Sequence, residues 1–354
     1  MKRLLLTVLF LLSSVVATRA DTQPWLIGGI GWSSDGQYIA VGTSAGVHIH
    51  ASDDLSKVRV LDESFFVRMV AWSNSDLRIA YEDYDAERVV IRDLATGERS
   101  ELSANGMIAD FAWAPSDKSF AMLAYGGGGI KIYNIETEVV ETTIRLIQFR
   151  GFGTPLVEWG PNGRYIVYGA IANGIAIFNA YTGELVDFIW SQRSTSMVRW
   201  SPDGNLLAAG GSGLRIWEIN QIYHPHDTVE KFAGDVVYER PGGSGLSWHP
   251  DSSRIAFVDT VYSDQDSLDF SGSHAVIWDL ATGAVVELPG VFITETYNTW
   301  DTIEWSPDGS KLASISSDGR IIIWDASTYD IIAEYAGYRS ILDYYAENPL
   351  NRAP

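Results

Sequence analysis

One short pattern recurs seven times along the chain, and a recurrence at this spacing limits the fold more than composition does. Each copy is an apolar alternation that ends in Trp, then a small residue, a turn and a second apolar run. The copies are Trp32-Ser-Ser-Asp-Gly36, Trp72-Ser-Asn-Ser-Asp76, Trp113-Ala-Pro-Ser-Asp117, Trp159-Gly-Pro-Asn-Gly163, Trp200-Ser-Pro-Asp-Gly204, Trp248-His-Pro-Asp-Ser252 and Trp305-Ser-Pro-Asp-Gly309. Successive Trp residues lie 40, 41, 46, 41, 48 and 57 positions apart. A period in the forties points to four-stranded propeller blades. The last copy shows how a unit divides. Residues 301–305 read as strand a, 306–309 as a hairpin turn and 311–315 as strand b. Residues 317–319 then turn, 320–324 form strand c and 331–335 form strand d. Asp-Gly supplies the positive φ of a tight reversal. The expected fold is therefore all-β: a seven-bladed β-propeller of four-stranded antiparallel blades.

The seven Trp residues read as core. An indole buries about 200 Å², worth on the order of 5 kcal/mol as an upper bound. A blade alone cannot cover its two faces, whereas blades stacked in a ring cover each other.

The ends of strand c carry a family resemblance. Ile216-Trp217-Glu218, Ile277-Trp278-Asp279 and Ile323-Trp324-Asp325 resemble the Trp-Asp close of WD40 repeats. Ile49-His50, Ile91-Arg92-Asp93, Ile132-Tyr133-Asn134 and Ile177-Phe178-Asn179 are weaker copies, and Asp93-Leu-Ala-Thr-Gly97 and Asp279-Leu-Ala-Thr-Gly283 resemble the family's turn into strand d. The resemblance spans residues 25 to 335. It implies a binding fold and names no ligand. Two departures stand out. The Gly-His pair expected before strand a is missing from every unit, so the hydrogen-bonded tetrad built on that His is reduced to a remnant, Asp318 with Trp324, in the last blade. There is also no spare N-terminal strand to complete the last blade. The PD40 repeats of TolB-like propellers, which share the Trp-Ser-Pro-Asp-Gly turn, are the nearest alternative family.

Residues 1–20 have the layout of a secretory signal: Lys2 and Arg3, an apolar stretch from Leu4, then small residues up to Ala20. The expected organisation is a signal peptide over 1–20, one propeller over 21–335 and a tail over 336–354, with a secreted or periplasmic location. Removing Lys2, Arg3 and Arg19 takes the net charge from −20 to −23. So acidic a surface repels phosphate backbones, and neither nucleic acid nor, beyond the export signal, a membrane is an expected partner. The chain has no Cys, which removes disulfides and a lipid anchor through an N-terminal thiol.

Catalytic constellations are scarce. Neither Gly-x-Ser-x-Gly nor His-Glu-x-x-His occurs, and the glycine runs at 126–129 and 210–213 sit between strands b and c as turns. His48 and His50 share one strand face, where packing is the expected role. His224-Pro-His226-Asp227 reads as a polar loop. Residues 259–274 read as an insertion between strands b and c of blade 6. Its Asp264, Asp266 and Asp269 faintly resemble a calcium loop, but without the Gly and the terminal Glu they read as a solvated acidic loop. No metal, cofactor or catalytic residue is expected.

Antiparallel order puts the b–c and d–a connections on one face. The d–a connections hold Phe66, Arg68, Phe149, Arg150, Trp190, Arg193, Tyr297 and Trp300, residue types enriched at interfaces. These are the expected contacts for a protein or peptide partner, made by a monomeric, non-catalytic scaffold. The alternative is a propeller hydrolase or lyase acting on an exported polymer, which needs convergent acids in the central funnel. There the sequence offers only scattered Asp110, Glu158, Asp301 and Glu304. Blade 7 is expected to be built from about 300 to 335 alone, with Tyr338, Ile341, Leu342, Tyr344 and Tyr345 bracing the ring seam as a short helix.

Overall fold

A computed structural model describes residues 23–61, 66–75, 77–103, 105–126, 128–146, 156–170, 174–190, 195–211, 213–219, 233–240, 243–262, 270–290, 302–316 and 318–340. These form seven four-stranded antiparallel sheets, each with its strands in chain order. Blade 1 is β1 (Leu26–Trp32), β2 (Tyr38–Thr43), β3 (Gly46–Ala51) and β4 (Lys57–Leu61). Blade 2 is β5 (Val70–Trp72), β6 (Arg78–Asp83), β7 (Arg88–Asp93) and β8 (Arg99–Ser103). Blade 3 is β9 (Ile108–Trp113), β10 (Ser119–Ala124), β11 (Ile130–Asn134) and β12 (Val140–Ile144). Blade 4 is β13 (Leu156–Trp159), β14 (Tyr165–Ala170), β15 (Gly174–Asn179) and β16 (Leu185–Trp190). Blade 5 is β17 (Thr195–Trp200), β18 (Leu206–Gly211), β19 (Leu214–Ile219) and β20 (Ala233–Arg240). Blade 6 is β21 (Ser244–Trp248), β22 (Arg254–Tyr262), β23 (Phe270–Asp279) and β24 (Val285–Glu287). Blade 7 is β25 (Ile303–Trp305), β26 (Lys311–Ile315), β27 (Ile321–Asp325) and β28 (Ile331–Tyr335).

The core lies between blades. Seven apolar clusters each join two successive blades, and the seventh joins blade 7 to blade 1. Strand alternation explains this: side chains leave a strand to both faces in turn, and here each face meets a neighbour. The strand a Trp rings are buried except Trp72, which is half-buried. Five of their indole N–H groups follow one rule, while those of Trp200 and Trp305 are buried without a partner among the described residues. Trp72 Nε1 donates to Gly31 O (3.0 Å), Trp113 to Ala71 O (3.2 Å), Trp159 to Ala112 O (3.2 Å) and Trp248 to Arg199 O (3.1 Å). Each acceptor is the residue just before the Trp of the preceding blade. Trp32 obeys the same rule across the seam, donating to Glu304 O at 3.0 Å.

The repeated turns have local causes. In Trp-Ser-x-Asp-Gly the serine hydroxyl donates to the Asp carboxylate and accepts the first N–H of strand b. The distances are 2.7 and 2.9 Å at Ser33, and 2.6 and 2.9 Å at Ser201. The Asp or Asn closing strand c accepts an N–H from the Thr three residues on, at Asp93, Asn134, Asn179, Asp279 and Asp325. This is the Asx-turn chemistry that favours those residues at turns. At Asp325 the Ser327 hydroxyl, and then the Thr328 N–H, hold the carboxyl down at about 2.

Among the described residues ring closure uses no shared strand, since β25 to β28 make up the four strands of blade 7. The residues after β28 then cross to blade 1. Leu26 N donates to Arg339 O (3.2 Å) and Arg339 N to Pro24 O (2.9 Å). Tyr338 is buried in the cluster shared by blades 7 and 1. At the opposite face Lys311 Nζ reaches Asp53 at 2.7 Å.

Three expectations need correction. Residues 336–340 brace the seam as extended chain, not as a helix, because their backbone groups pair with residues 24–26; Ile341, Leu342, Tyr344 and Tyr345 lie outside the described residues. The proposed blade 6 loop is mostly strand: β22 and β23 pair as far as Tyr262 and Phe270. Its acids drew attention away from the β-branched and aromatic residues of 260–262. The Asp318–Trp324 remnant does not form either. Asp318 pairs with Arg320 (2.7 Å), while Trp324 Nε1 donates to Pro289 O of blade 6 (3.0 Å).

Two stability measurements follow. Gly36 and Gly309 both have positive φ (70° and 71°), but a Cβ on Gly36 would find only Pro307 Cδ at 3.8 Å, whereas one on Gly309 would sit 2.2 Å from His249 Nε2. In urea unfolding, Gly36→Ala is expected to cost about 1 kcal/mol and Gly309→Ala about 2–3 kcal/mol. Ending the chain after Tyr335 removes the buried Tyr338 and is expected to cost roughly 3 kcal/mol, read as a lower melting temperature.

Candidate functional site

Strand a is innermost in every blade, and successive strands a touch around the ring, with β1 against both β5 and β25. An innermost strand has one edge paired to strand b, and the other edge carries N–H groups that need acceptors. The funnel acids supply them. Asp110 Oδ2 accepts from Val157 N (2.6 Å), Glu158 Oε2 from Trp200 N (2.8 Å) and Glu304 Oε2 from Trp32 N (3.0 Å). Ser247 Oγ does the same for Trp305 N at 3.0 Å. Each reaches from its own blade to strand a of the next. The carboxylates that an enzyme reading would have gathered around a substrate are instead spread around the ring as backbone acceptors. Asp301 lies outside the described residues. A cavity of about 30 Å³, room for one or two waters, lies among Met69, Asp110, Phe111, Leu156 and Arg199. Among the described residues no three His, Cys, Asp or Glu side chains group as a metal site.

The d–a connection between blades 1 and 2 departs from expectation in an informative way. Residues 66–69 run between the two blades and bond to both. Val67 N donates to Thr43 O (3.0 Å), Gly29 N to Arg68 O (2.7 Å), Glu82 N to Met69 O (3.1 Å) and Tyr84 N to Phe66 O (3.3 Å). Gly28 and Gly42 make room, since a Cβ would lie 1.8 Å from Arg68 O or 2.4 Å from Val67 O.

Arg68 is thereby turned inward. Its Nε donates to Glu82 Oε2 (2.8 Å), its Nη2 to the second Glu82 oxygen and to Ile108 O (3.1 Å), and it stacks on Tyr84 with Cζ 4.3 Å from the ring centre. The Glu82 side chain is fully buried. Burial pushes its carboxyl up, and the Arg68 fork opposes that shift. Arg68 is therefore a structural cation and not an exposed contact, because a buried carboxylate left alone costs far more than a surface charge yields.

What this arrangement presents outward is Tyr84, in the b–c turn of blade 2, and Tyr125, in that of blade 3, both more than a third exposed. Tyr125 is near enough for Arg68 and Asp110 to act on its phenol, whose pKa partial burial raises. Beneath it Tyr168 is pushed up to about 12, by burial and then by Tyr125. Sequence reading missed these tyrosines by attending to the d–a segments alone. The signal was present, because antiparallel order puts b–c turns on the same face. Phe66 is half-buried beside them. Trp190 is the most exposed large apolar side chain of the described residues, at 74%, and packs edge-on against Phe188 on the outermost strand of blade 4. It stands on the rim, apart from Arg68. Phe149, Arg150, Arg193, Tyr297, Trp300, His224, His226, Asp264, Asp266 and Asp269 lie outside the described residues.

Arg68→Ala is expected to strand Glu82 and cost about 3–5 kcal/mol at neutral pH. A lone buried carboxyl has a folded-state pKa above its unfolded value, so the folded state keeps its proton longer. The deficit should therefore shrink as the pH is lowered toward the unfolded carboxylate value and widen as it rises. Denaturant unfolding of the variant across pH 4.5 to 8 checks both the size and the sign.

Two family models match parts of the chain: Eukaryotic translation initiation factor eIF2A over residues 89–209, and WD domain, G-beta repeat over residues 299–325. Among curated proteins, Actin-interacting protein 1 of Caenorhabditis elegans is 28% identical over 201 residues, covering 47% of this chain and 31% of the relative. Protein hir-1 of Neurospora crassa is 25% identical over 194 residues, covering 49% of this chain and 17% of the relative. The matches thus span about a third or less of these relatives' length. The Cps50 (Swd1) β-propeller domain of Myceliophteria thermophila superposes with a TM-score of 0.69 at 16% identity, covering 86% of this chain and 97% of that one. At that identity it speaks to the fold alone.

Proposed function

Starting from a chain that belongs to the WD40-repeat β-propellers, we propose that it is a non-catalytic, extracytoplasmic scaffold that binds a protein or peptide on the face carrying the b–c and d–a connections. One observation carries the reading: Tyr84 and Tyr125 stand exposed near the mouth of the ring, over an Arg68 fixed by a buried Glu82. Exposed tyrosines on a rigid base offer large, amphipathic contact area at low entropic cost. The opposing enzyme reading loses support because Asp110, Glu158 and Glu304 hold the backbone of neighbouring blades. The net charge of −20 favours a basic partner, by steering and by complementarity at the rim. The similarity to a protein named as actin-interacting agrees with a protein partner in kind and does not transfer its identity. The layout of residues 1–20 supports export.

The test places a photo-crosslinking residue at Tyr84, at Tyr125 and, on the opposite face, at Asp35. A shared adduct with one basic protein is expected from the first two and none from Asp35. Tyr84→Ala with Tyr125→Ala should weaken that capture at least tenfold at unchanged melting temperature. Adducts from Asp35 alone would overturn the face assignment. N-terminal sequencing of exported protein should begin near Asp21, and retention of the full chain in the cytoplasm would overturn the location.

A further inference from the structure

We propose that the contact between the last blade and the first is an acid-sensitive latch, in which Tyr338 holds the neutral imidazoles of His48 and His50 and lets go when either takes up a proton. The proposal is independent of what the propeller binds.

The hydrogen-bond chain can be assigned atom by atom. His50 Nδ1 lies 2.7 Å from Leu55 O. A carbonyl only accepts, so Nδ1 carries the hydrogen and, in the neutral ring, Nε2 is an acceptor. Tyr338 Oη lies 2.6 Å from that Nε2 and therefore donates to it. Its lone pairs then accept from His48 Nδ1 at 2.9 Å. Every polar atom in the path from His48 through Tyr338 and His50 to Leu55 is paired while both rings are neutral. Protonating His50 puts a second donor opposite the phenol hydrogen, so the path survives only if the phenol turns and the His48 ring gives up its Nδ1 hydrogen. Protonating His48 places a charge inside the apolar cluster of Leu26, Ile30, Ala313, Ile321 and Tyr338.

The Leu55 carbonyl favours the charged form of His50, and burial outweighs it. Both rings are almost fully buried. Lys57 of β4 lies 5.6 Å above the Tyr338 ring and acts on both histidines. From blade 7, Tyr335 packs edge-on against His50 at 4.8 Å and edge-on against Tyr338 at 5.1 Å. The charged groups farther out are matched among themselves: Arg320 holds Asp318 and Glu334, and Arg339 stacks over Trp25. Burial, then Lys57, then His50 push His48 down to about 3, and burial also lowers His50.

The position of this chain of bonds makes it a latch. In blades 3 and 7 the strand c residue at the place of His50 reaches back to the end of, or the segment leaving, strand d of the preceding blade. Tyr133 Oη donates to Ser103 O (2.9 Å) and Trp324 Nε1 to Pro289 O (3.0 Å). Those bonds do not titrate near neutrality. At the seam the preceding segment is the tail, and the same bond is made by groups that do. Tyr338 is next to Arg339, whose backbone joins residues 24–26, so loss of one loosens the other.

The sign is as follows. Both histidines have folded-state pKa values below the unfolded 6.5, so the unfolded or opened chain binds more protons. Stability is complete above 6.5 and is lost as the pH falls from 6.5 toward 3. Between pH 7 and 5, His48 alone lowers the closed-to-open ratio by roughly 25-fold.

Hydrogen exchange of the full chain at pH 7 and 5, corrected for intrinsic rates, tests this. Protection at the Leu26 and Arg339 amides should fall at least tenfold at the lower pH, while the β14 amides of blade 4 keep theirs. Unchanged seam protection, or equal loss in all blades, would overturn the proposal. The His48→Gln, His50→Gln double variant should show a melting temperature whose fall from pH 7 to 5 is much shallower than that of the unaltered chain. Parallel slopes would also overturn it. If the variant does not fold, the exchange measurement on the natural chain decides.

Discussion

A blade's two faces are both apolar, and in five of the seven blades the indole N–H of the strand a Trp finds its acceptor on the blade before it. Trp72 to Gly31, Trp113 to Ala71 and Trp32 to Glu304 are one bond repeated around a circle. The ring burial supplies the larger energy, roughly 25 cal/mol for each Å² removed from water. The indole bond adds direction: an N–H buried with no acceptor costs about 1–3 kcal/mol, so the stack has one preferred spacing and hand. Everything else in the molecule is arranged around blades fixed in this way.

Closing a ring brings seven inner edges together, and their N–H groups must be satisfied where water is scarce. Asp110, Glu158, Ser247 and Glu304 do this by reaching to the next blade. The same constraint removes acids from the chemistry they would otherwise suggest. A funnel whose carboxylates hold backbone is a rigid rim, and rigidity suits a surface that recognises a partner through exposed tyrosines. Arg68 shows the same division of labour. It lies under the surface, neutralising Glu82, and supports the Tyr84 that faces outward.

The seam differs from the six other joints in covalent continuity. Elsewhere a d–a segment runs from one blade into the next; at the seam no such segment joins blade 7 to blade 1. Residues 338–339 substitute for it, lying over Gly319, where a Cβ would come within 2.5 Å of Tyr338 O. A bond made by a carbonyl at other joints is made there by a phenol between two imidazoles. In the proposed latch this joint carries two imidazoles in its polar chain.

The blade count, the strand order and the turns were legible in the sequence because each follows from local rules. Trp spacing sets the unit, period-2 alternation sets the faces, and Ser-x-Asp-Gly or Asp followed by Thr at the third position builds its turn from side chains a few bonds away. The four strands of blade 7 were legible too, from the apolar runs and turns of 301–335. What local pattern cannot carry is the direction of a side chain in an irregular segment. Arg68 and Tyr84 are both loop residues of types common at interfaces, and which one faces water was decided by Glu82, buried 14 residues from Arg68 in β6. Likewise His48 and His50 meet Tyr338 across 290 and 288 residues. The sequence by itself determined that seven blades exist and how each is built. Only the closed ring decided which polar groups meet, because those meetings occur between blades and depend on distances that no local rule contains.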